Sequence, residues 1–370
     1  MALTDPATIP AMVCQRAAAH GGQTILRRKH RGIWQPTTWA ELATAMRAAG
    51  MGLKAVGCAP GEVTCVLSET RPEWVYADLG ALGAGLACAG IDPAAAAAPV
   101  AERLRGVECR VLFVEGEEQL DTALQVAGEC PALERIVIFE MKGLRDLADV
   151  RCESFAGFCA RGIALDQANP GMWEAGIAAL TGDRPAVLVQ TMMLTHGDIL
   201  AIAAARSGVR AGDERLAFLP MGDAAERLHG CYQALFAGIV SNYAESPETV
   251  LENLQEVQPT LLCAAPDTWE RLHARITLAV AEATPLQRLA YRLAIGIGNR
   301  AATAGRPTRA LRWLADQLVL RNVRRDIGLD RLRLAMVGSR PVAPEVMRWY
   351  RALGIDLRPV DECAGGGADC

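Results

Sequence analysis

The side chains best suited to chemistry near neutral pH are sparse in this 370-residue chain: five histidines, twelve cysteines and three lysines. The histidines, His20, His30, His196, His229 and His273, show no metal-ligand spacing. No Gly-x-Ser-x-Gly elbow is present, so a serine hydrolase is not indicated. The cysteines form no C-x-x-C pair and no signal peptide precedes them, which predicts free thiols in a reducing cytoplasm. Lysine occurs only at Lys29, Lys54 and Lys142. A mechanism that needs a lysine in the second half of the chain is therefore excluded. Gly80, Gly83, Gly85 and Gly90 suggest a dinucleotide loop at first glance, but they sit in a helical pattern and not directly after a strand, so close helix packing is the expected cause.

The elements that must position such residues follow from composition and periodicity. With 51% hydrophobic and 22% charged residues and a net charge of −4, the chain is expected to fold into two or three ordinary domains. The longest apolar stretch, Ala77 to Ile91, is too short to span a bilayer, which takes about 20 residues. Helical spacing from Thr38 to Val56, with Glu41 three residues after Thr38, predicts a capped helix. A helix from Pro72 to Leu86 and strands at Val63–Leu67, Arg110–Glu115, Arg135–Glu140, Ala186–Thr191, Leu216–Pro220 and Thr260–Ala264 complete an alternating pattern. Such alternation implies an α/β fold with largely parallel sheets. The less regular segment from Asp146 to Gly182 is expected to link two lobes, residues 1–182 and 183–370. Twelve arginines against four acids between Arg300 and Arg351 read as the solvated face of long helices. No nucleic-acid module accompanies them, so nucleic acid is not an expected partner.

Six phrases in fixed order carry a more specific signal: GIWQPTTWAELA from Gly32, APGEVTCVLSETRPEWVYADLGALGAG from Ala59, MLTHGDIL from Met193, FLPMGDAAER from Phe218, QPTLLCAAPDTWERL from Gln258 and GSRPVAPEV from Gly338. Together they resemble the adenylate-forming (AMP-binding) superfamily, most of all bacterial long-chain fatty acyl-CoA synthetases. That resemblance implies a layered αβαβα large domain with two mainly parallel sheets, and a reaction in two halves. A carboxylate attacks the α-phosphate of ATP to give an acyl-adenylate, and coenzyme A then displaces AMP. The family cofactors and substrates so implied are ATP, magnesium, coenzyme A and a fatty acid or fatty acyl-CoA.

Against the family pattern, several sites depart. A phosphate loop of the form T-S-G-T-T-G-x-P-K-G is expected before M-L-T-H-G, yet only Thr191 matches its start, and Met192 and Met193 lead straight into Leu194. Asp223 stands where L-P-L-A-H-x-x-E-R has histidine, either beside the acyl and nucleotide pocket with Glu226 or as an exposed loop aspartate. Asp267 replaces the arginine of P-R-x-x-E. The adenine-side G-G-A-P-L is matched approximately by Gly338, Ser339 and Arg340, where Arg340 either closes the pocket or meets an anion. The stretch expected to hold Y-G-x-T-E reads Val360-Asp361-Glu362-Cys363-Ala364, and the family's mobile C-terminal domain with its lysine is expected to be absent.

The expectation is a fatty acyl-CoA ligase relative that is inactive alone, with weakened or lost binding of ATP and magnesium and no catalytic or metal-binding residue assigned. Alternatives are an acyl or acyl-CoA binding module, or a ligase subunit completed by a partner. Apolar surface near residues 335–370 is expected to be covered by another copy, by a second protein or by repacking.

Overall fold

The computed structural model describes residues 6–144, 147–205, 208–302, 309–338 and 340–359. Two compact units make up the chain. The first comprises Met1–Arg28, Trp34–Ala204 and Pro220–Phe236, and the second Lys29–Ile33, Ala205–Leu219 and Ala237–Cys370. In chain order the strands are β1 (Thr24–His30), β2 (Ile33–Thr38), β3 (Val63–Leu67), β4 (Ala87–Ile91), β5 (Val111–Val114), β6 (Arg135–Ile138), β7 (Cys152–Ser154), β8 (Pro185–Val189), β9 (Met192–Thr195), β10 (Glu214–Ala217), β11 (Val240–Tyr243), β12 (Leu261–Ala264), β13 (Leu334–Val337) and β14 (Leu357–Pro359).

One sheet runs β7-β6-β5-β3-β4-β8-β9, parallel except for the final pair. The other runs β14-β13-β12-β10-β11 in parallel and is extended by the β1–β2 hairpin. The fold class is α/β, with two mixed sheets flanked by helices. Because β8 pairs with β4, the segment just after residue 182 belongs to the first sheet, so the division does not fall at one point in the chain. Parallel strands buried on both faces need continuous apolar runs, and β5 (VLFV) is buried at all four positions.

In the first unit, the Trp39–Ala55 helix starts with the capping box its sequence encodes. Thr38 Oγ1 accepts from the Glu41 N–H at 3.3 Å and Glu41 Oε2 accepts from the Thr38 N–H at 2.7 Å. The Pro72–Gly83 helix stops short of Leu86 because Gly85 adopts φ +83°, a left-handed position that ends the helix. Small residues let the helices approach closely. A Cβ on Gly80 would meet Ala49 at 2.7 Å, and one on Gly83 would meet the Trp173 ring at 2.3 Å.

The segment expected to be an irregular link instead forms β7 and the helices Phe155–Ala168 and Met172–Ala178. Phe158 of the first of these stands edge-on to Phe113 of β5, with ring centroids 5.6 Å apart. In the second unit, Tyr350 donates to the Trp269 carbonyl at 2.8 Å, joining the Pro344–Ala352 and Pro266–Glu282 helices.

The exposed apolar surface lies elsewhere than residues 335–359. Met336, Val346, Trp349, Leu353 and Leu357 there are all buried. Apart from Ile33, the large exposed apolar side chains among the described residues of the second unit fall between Leu278 and Leu318 instead. Among the described residues no helix is long and apolar enough to cross a membrane.

Candidate functional site

Where the phosphate loop is expected, the chain makes a tight hairpin. Val189 of β8 pairs with Met192 of β9, Leu188 with Met193 and Val187 with Leu194, which leaves only Gln190 and Thr191 to turn the corner. Gln190 takes φ +54°, and its carbonyl accepts from the Arg103 guanidinium at 2.5 Å. A phosphate cradle needs several consecutive backbone N–H groups turned into one concavity, with glycines to let the anion approach. A hairpin has the opposite property, since its backbone groups are committed to the ladder. Thr191 is exposed at the tip.

The helix after β9, His196–Ala204, could in principle attract an anion with its N-terminus. That end is already occupied. Asp198 Oδ2 accepts from the Thr195 N–H at 2.9 Å and from Thr195 Oγ1 at 2.7 Å, while the Asp198 N–H donates back to Thr195 Oγ1 at 3.1 Å. These hydrogen bonds hold the Asp198 carboxyl below the usual carboxylate range, so a fixed negative charge sits at the start of this helix. The residues of the hairpin and of this helix start therefore do not fit a magnesium-bound triphosphate.

His196, next along, is buried, and its Nδ1 has no partner among the described residues. Burial pushes its pKa down to about 4, against a smaller opposing pull from Asp78. The folded protein thus keeps His196 neutral at pH values where an unfolded chain protonates it, near 6.5. Stability from this group is complete above pH 6.5 and is lost as pH falls towards 4. Between pH 6.5 and 5 the expected loss is about 2 kcal/mol. Urea midpoints of the parent and of His196→Gln at the two pH values check this, and equal pH slopes for the two proteins would refute it.

The next cluster begins at Asp223, which is exposed and accepts from the Ala225 N–H at 2.8 Å. It opens a π-helix, Ala225–Tyr232, a rare form that often marks specialised sites. Glu226 is fully buried, with its carboxylate so close to Gly230 that an added Cβ there would lie 2.7 Å from it. Arg227 is buried as well. It meets Asp78 Oδ1 at 2.5 Å, donates to the Cys88 carbonyl at 3.1 Å and lies 4.8 Å from the centre of the Trp74 ring. Tyr232 donates to the other Asp78 oxygen at 2.6 Å. Burial opposes the Arg227 charge, yet the Asp78 carboxylate raises its pKa well above the ordinary value.

In the second unit, Gly338 follows β13 and donates its N–H to the Ala264 carbonyl at 3.2 Å. Ser339 lies outside the described residues, as do Val360 to Ala364. Arg340 is exposed and stands 3.6 Å from Asp267. Both side chains are more than 70% exposed, so solvent screens the pair. Among the described residues no group of three His, Cys, Asp or Glu converges as a metal site. Burial pushes the Cys58 and Cys159 thiols up to about 12, so neither is a ready nucleophile.

Sequence reasoning did not single out Asp78, Arg103 or Tyr232. Asp78 had a usable signal, a lone acid inside the otherwise apolar run WVYADLGALG. A buried acid there requires a cationic or hydroxyl partner.

Comparison with known proteins supplies the family. The family model described as AMP-binding enzyme matches residues 13–156 and 191–365. The chain belongs to the AMP-binding enzyme family. The match breaks off before β8 and resumes at Thr191, so the hairpin turn lies where the chain rejoins the family pattern.

Among curated relatives, the long-chain-fatty-acid–CoA ligase ACSBG2 of Rattus norvegicus is 24% identical over 97% of this chain and 57% of its own length. The long-chain-fatty-acid–CoA ligase FadD15 of Mycobacterium tuberculosis is 25% identical over 94% of this chain and 59% of its own length. The chain thus spans less than two thirds of the length of these relatives. Among solved structures, the A-PCP didomain of the carboxylic acid reductase of Segniliparus rugosus, in complex with AMP, aligns with a TM-score of 0.70 at 17% identity, covering 97% of this chain and 52% of that one. The N-terminal domain of FACL13 from Mycobacterium tuberculosis aligns with a TM-score of 0.65 at 15% identity, over 97% and 77% of the two chains. These alignments establish a shared fold with adenylation domains.

Proposed function

We propose that this chain is a fatty acyl-CoA ligase homologue that does not form an acyl-adenylate by itself, and that its remaining capacity is to bind a fatty acid or fatty acyl-CoA. The observation that carries the reading is the two-residue turn at Gln190 and Thr191 in place of a glycine-rich phosphate loop. Each hydrogen bond to a charged group contributes about 1.5–3 kcal/mol, so three lost donors correspond to roughly 10³- to 10⁶-fold weaker triphosphate binding. Asp198 adds a repulsive charge beside the same hairpin. The acyl ligand class comes from the relatives, which are named as long-chain-fatty-acid–CoA ligases.

The test is pyrophosphate release by the purified chain with ATP, magnesium and long-chain fatty acids. The expected rate lies at least about 10³-fold below the roughly 10 s⁻¹ common among enzymes. Robust, fatty-acid-dependent release would refute the proposal. Raised thermal stability with a fatty acyl-CoA, but not with ATP, is the accompanying positive result.

A further inference from the structure

The helix Pro285–Ala302 has two very different sides. Its inner side is docked: Ala294 is buried, Trp349 Nε1 donates to Tyr291 Oη at 2.6 Å, and Gly298 lies so close to Ala352 that a Cβ would meet its carbonyl oxygen at 2.2 Å. Its outer side carries Leu286, Leu289 and Leu293 at helical i, i+3, i+7 spacing, exposed by 76%, 53% and 59%. The next helical segment repeats the pattern with exposed Leu311, Leu314 and Leu318, and adds Trp313 at 63% exposure. These are not core positions.

Charge on this segment is strongly one-sided. From Pro285 to Arg325 the sequence holds nine arginines and one acid, Asp316, although the whole chain has a net charge of −4. Arg324 pairs with Asp316, and Arg321 and Arg325 pair with Asp330. Arg292, Arg300 and Arg312 are exposed and make no ion pair among the described residues. Exposed leucines and a tryptophan flanked by free arginines are the composition of a helix that lies in the plane of a membrane interface.

We infer that the exposed faces of the helical stretches Pro285–Ala302 and Arg309–Leu320 form a docking surface for an anionic lipid bilayer. Leu286, Leu289, Leu293 and Trp313 enter the headgroup boundary, while Arg292, Arg300 and Arg312 meet lipid phosphates. Charge decides between occupants. A second copy docked by the same face would set arginine against arginine with almost no acid to offset it, whereas an anionic surface is complementary. The acidic remainder of the chain is repelled from that surface, which orients the protein with this face down.

The experiment is cosedimentation of the full chain with vesicles of phosphatidylcholine alone, or with about 30% phosphatidylglycerol, at about 0.1 M and 0.5 M NaCl. Binding to the anionic vesicles at low salt is expected to be at least about tenfold tighter than to the neutral ones, and to weaken at high salt. The double variant Leu289→Glu/Leu293→Glu is expected to weaken it by at least about tenfold, and Arg292→Glu/Arg300→Glu to abolish the preference for anionic lipid. Both pairs are exposed, so an unchanged thermal midpoint shows that the fold is intact. No binding to anionic vesicles, equal binding to both compositions, or binding untouched by these substitutions would overturn the inference. So would a dimer that the leucine variant dissociates while vesicles bind neither protein.

Discussion

Replacing Arg227 with methionine is expected to destabilise the first unit by about 3–5 kcal/mol, the usual consequence of stranding one member of a buried ion pair. Asp78 would keep only the Tyr232 hydroxyl, the Cys88 carbonyl would lose a donor and Trp74 would lose the cation above its ring. The double variant Asp78→Leu/Arg227→Met is expected to recover much of the loss, because an apolar pair of similar volume carries no unmet charge. Urea unfolding of the parent and the three variants gives the cycle. A single variant within about 1 kcal/mol of the parent would show that the pair is not the clamp described. This role also accounts for Arg227 within the family-like phrase FLPMGDAAER. It is buried and ties the π-helix to the Pro72–Gly83 helix and β4, so its presence reports folding and not turnover.

The second large effect is a contrast of sign between two helical glycines. A Cβ on Gly162 would lie 2.3 Å from the Ala48 carbonyl oxygen and 2.4 Å from the Gly52 nitrogen. Both are backbone atoms, so no rotamer change relieves the contact, and Gly162→Ala is expected to cost about 3 kcal/mol by forcing the two helices apart. On Gly296 an added Cβ meets nothing within 4 Å. Gly296→Ala is expected to stabilise by about 0.5–1 kcal/mol through helix propensity alone. Thermal or urea midpoints moving in the same direction for both variants would contradict the packing described.

The same glycines explain which parts of the fold were legible in the sequence. Strand Val63–Leu67 and the capping box at Thr38 are local signals, and the structure places them where alternation and the Thr-x-x-Glu spacing do. The Phe155–Ala168 helix gave no clear stripe, because its close contact with the Trp39–Ala55 helix runs through Gly162, which carries no apolar side chain to mark the buried face. The pattern instead suggested an irregular link.

At the candidate site, the shortness of the connection between β8 and β9 was legible in the sequence, which has no run of glycines, hydroxyls and a lysine there. The hairpin was not. Met192 and Met193 become a strand only by pairing with β8, a property of the hairpin and not of the two residues. Likewise, no local pattern shows that Arg103 caps the turn from 87 positions away, whereas the Asp198 cap follows the same Thr-x-x-acid spacing as Thr38 and Glu41.

Titration calorimetry of the full chain with ATP and magnesium, in parallel with a long-chain fatty acyl-CoA, tests the central claim most directly. Heat from the acyl-CoA, with no ATP binding tighter than about 1 mM, is the result expected of a hairpin that offers no phosphate donors. Micromolar, magnesium-dependent ATP binding that Thr191→Ala weakens would contradict it.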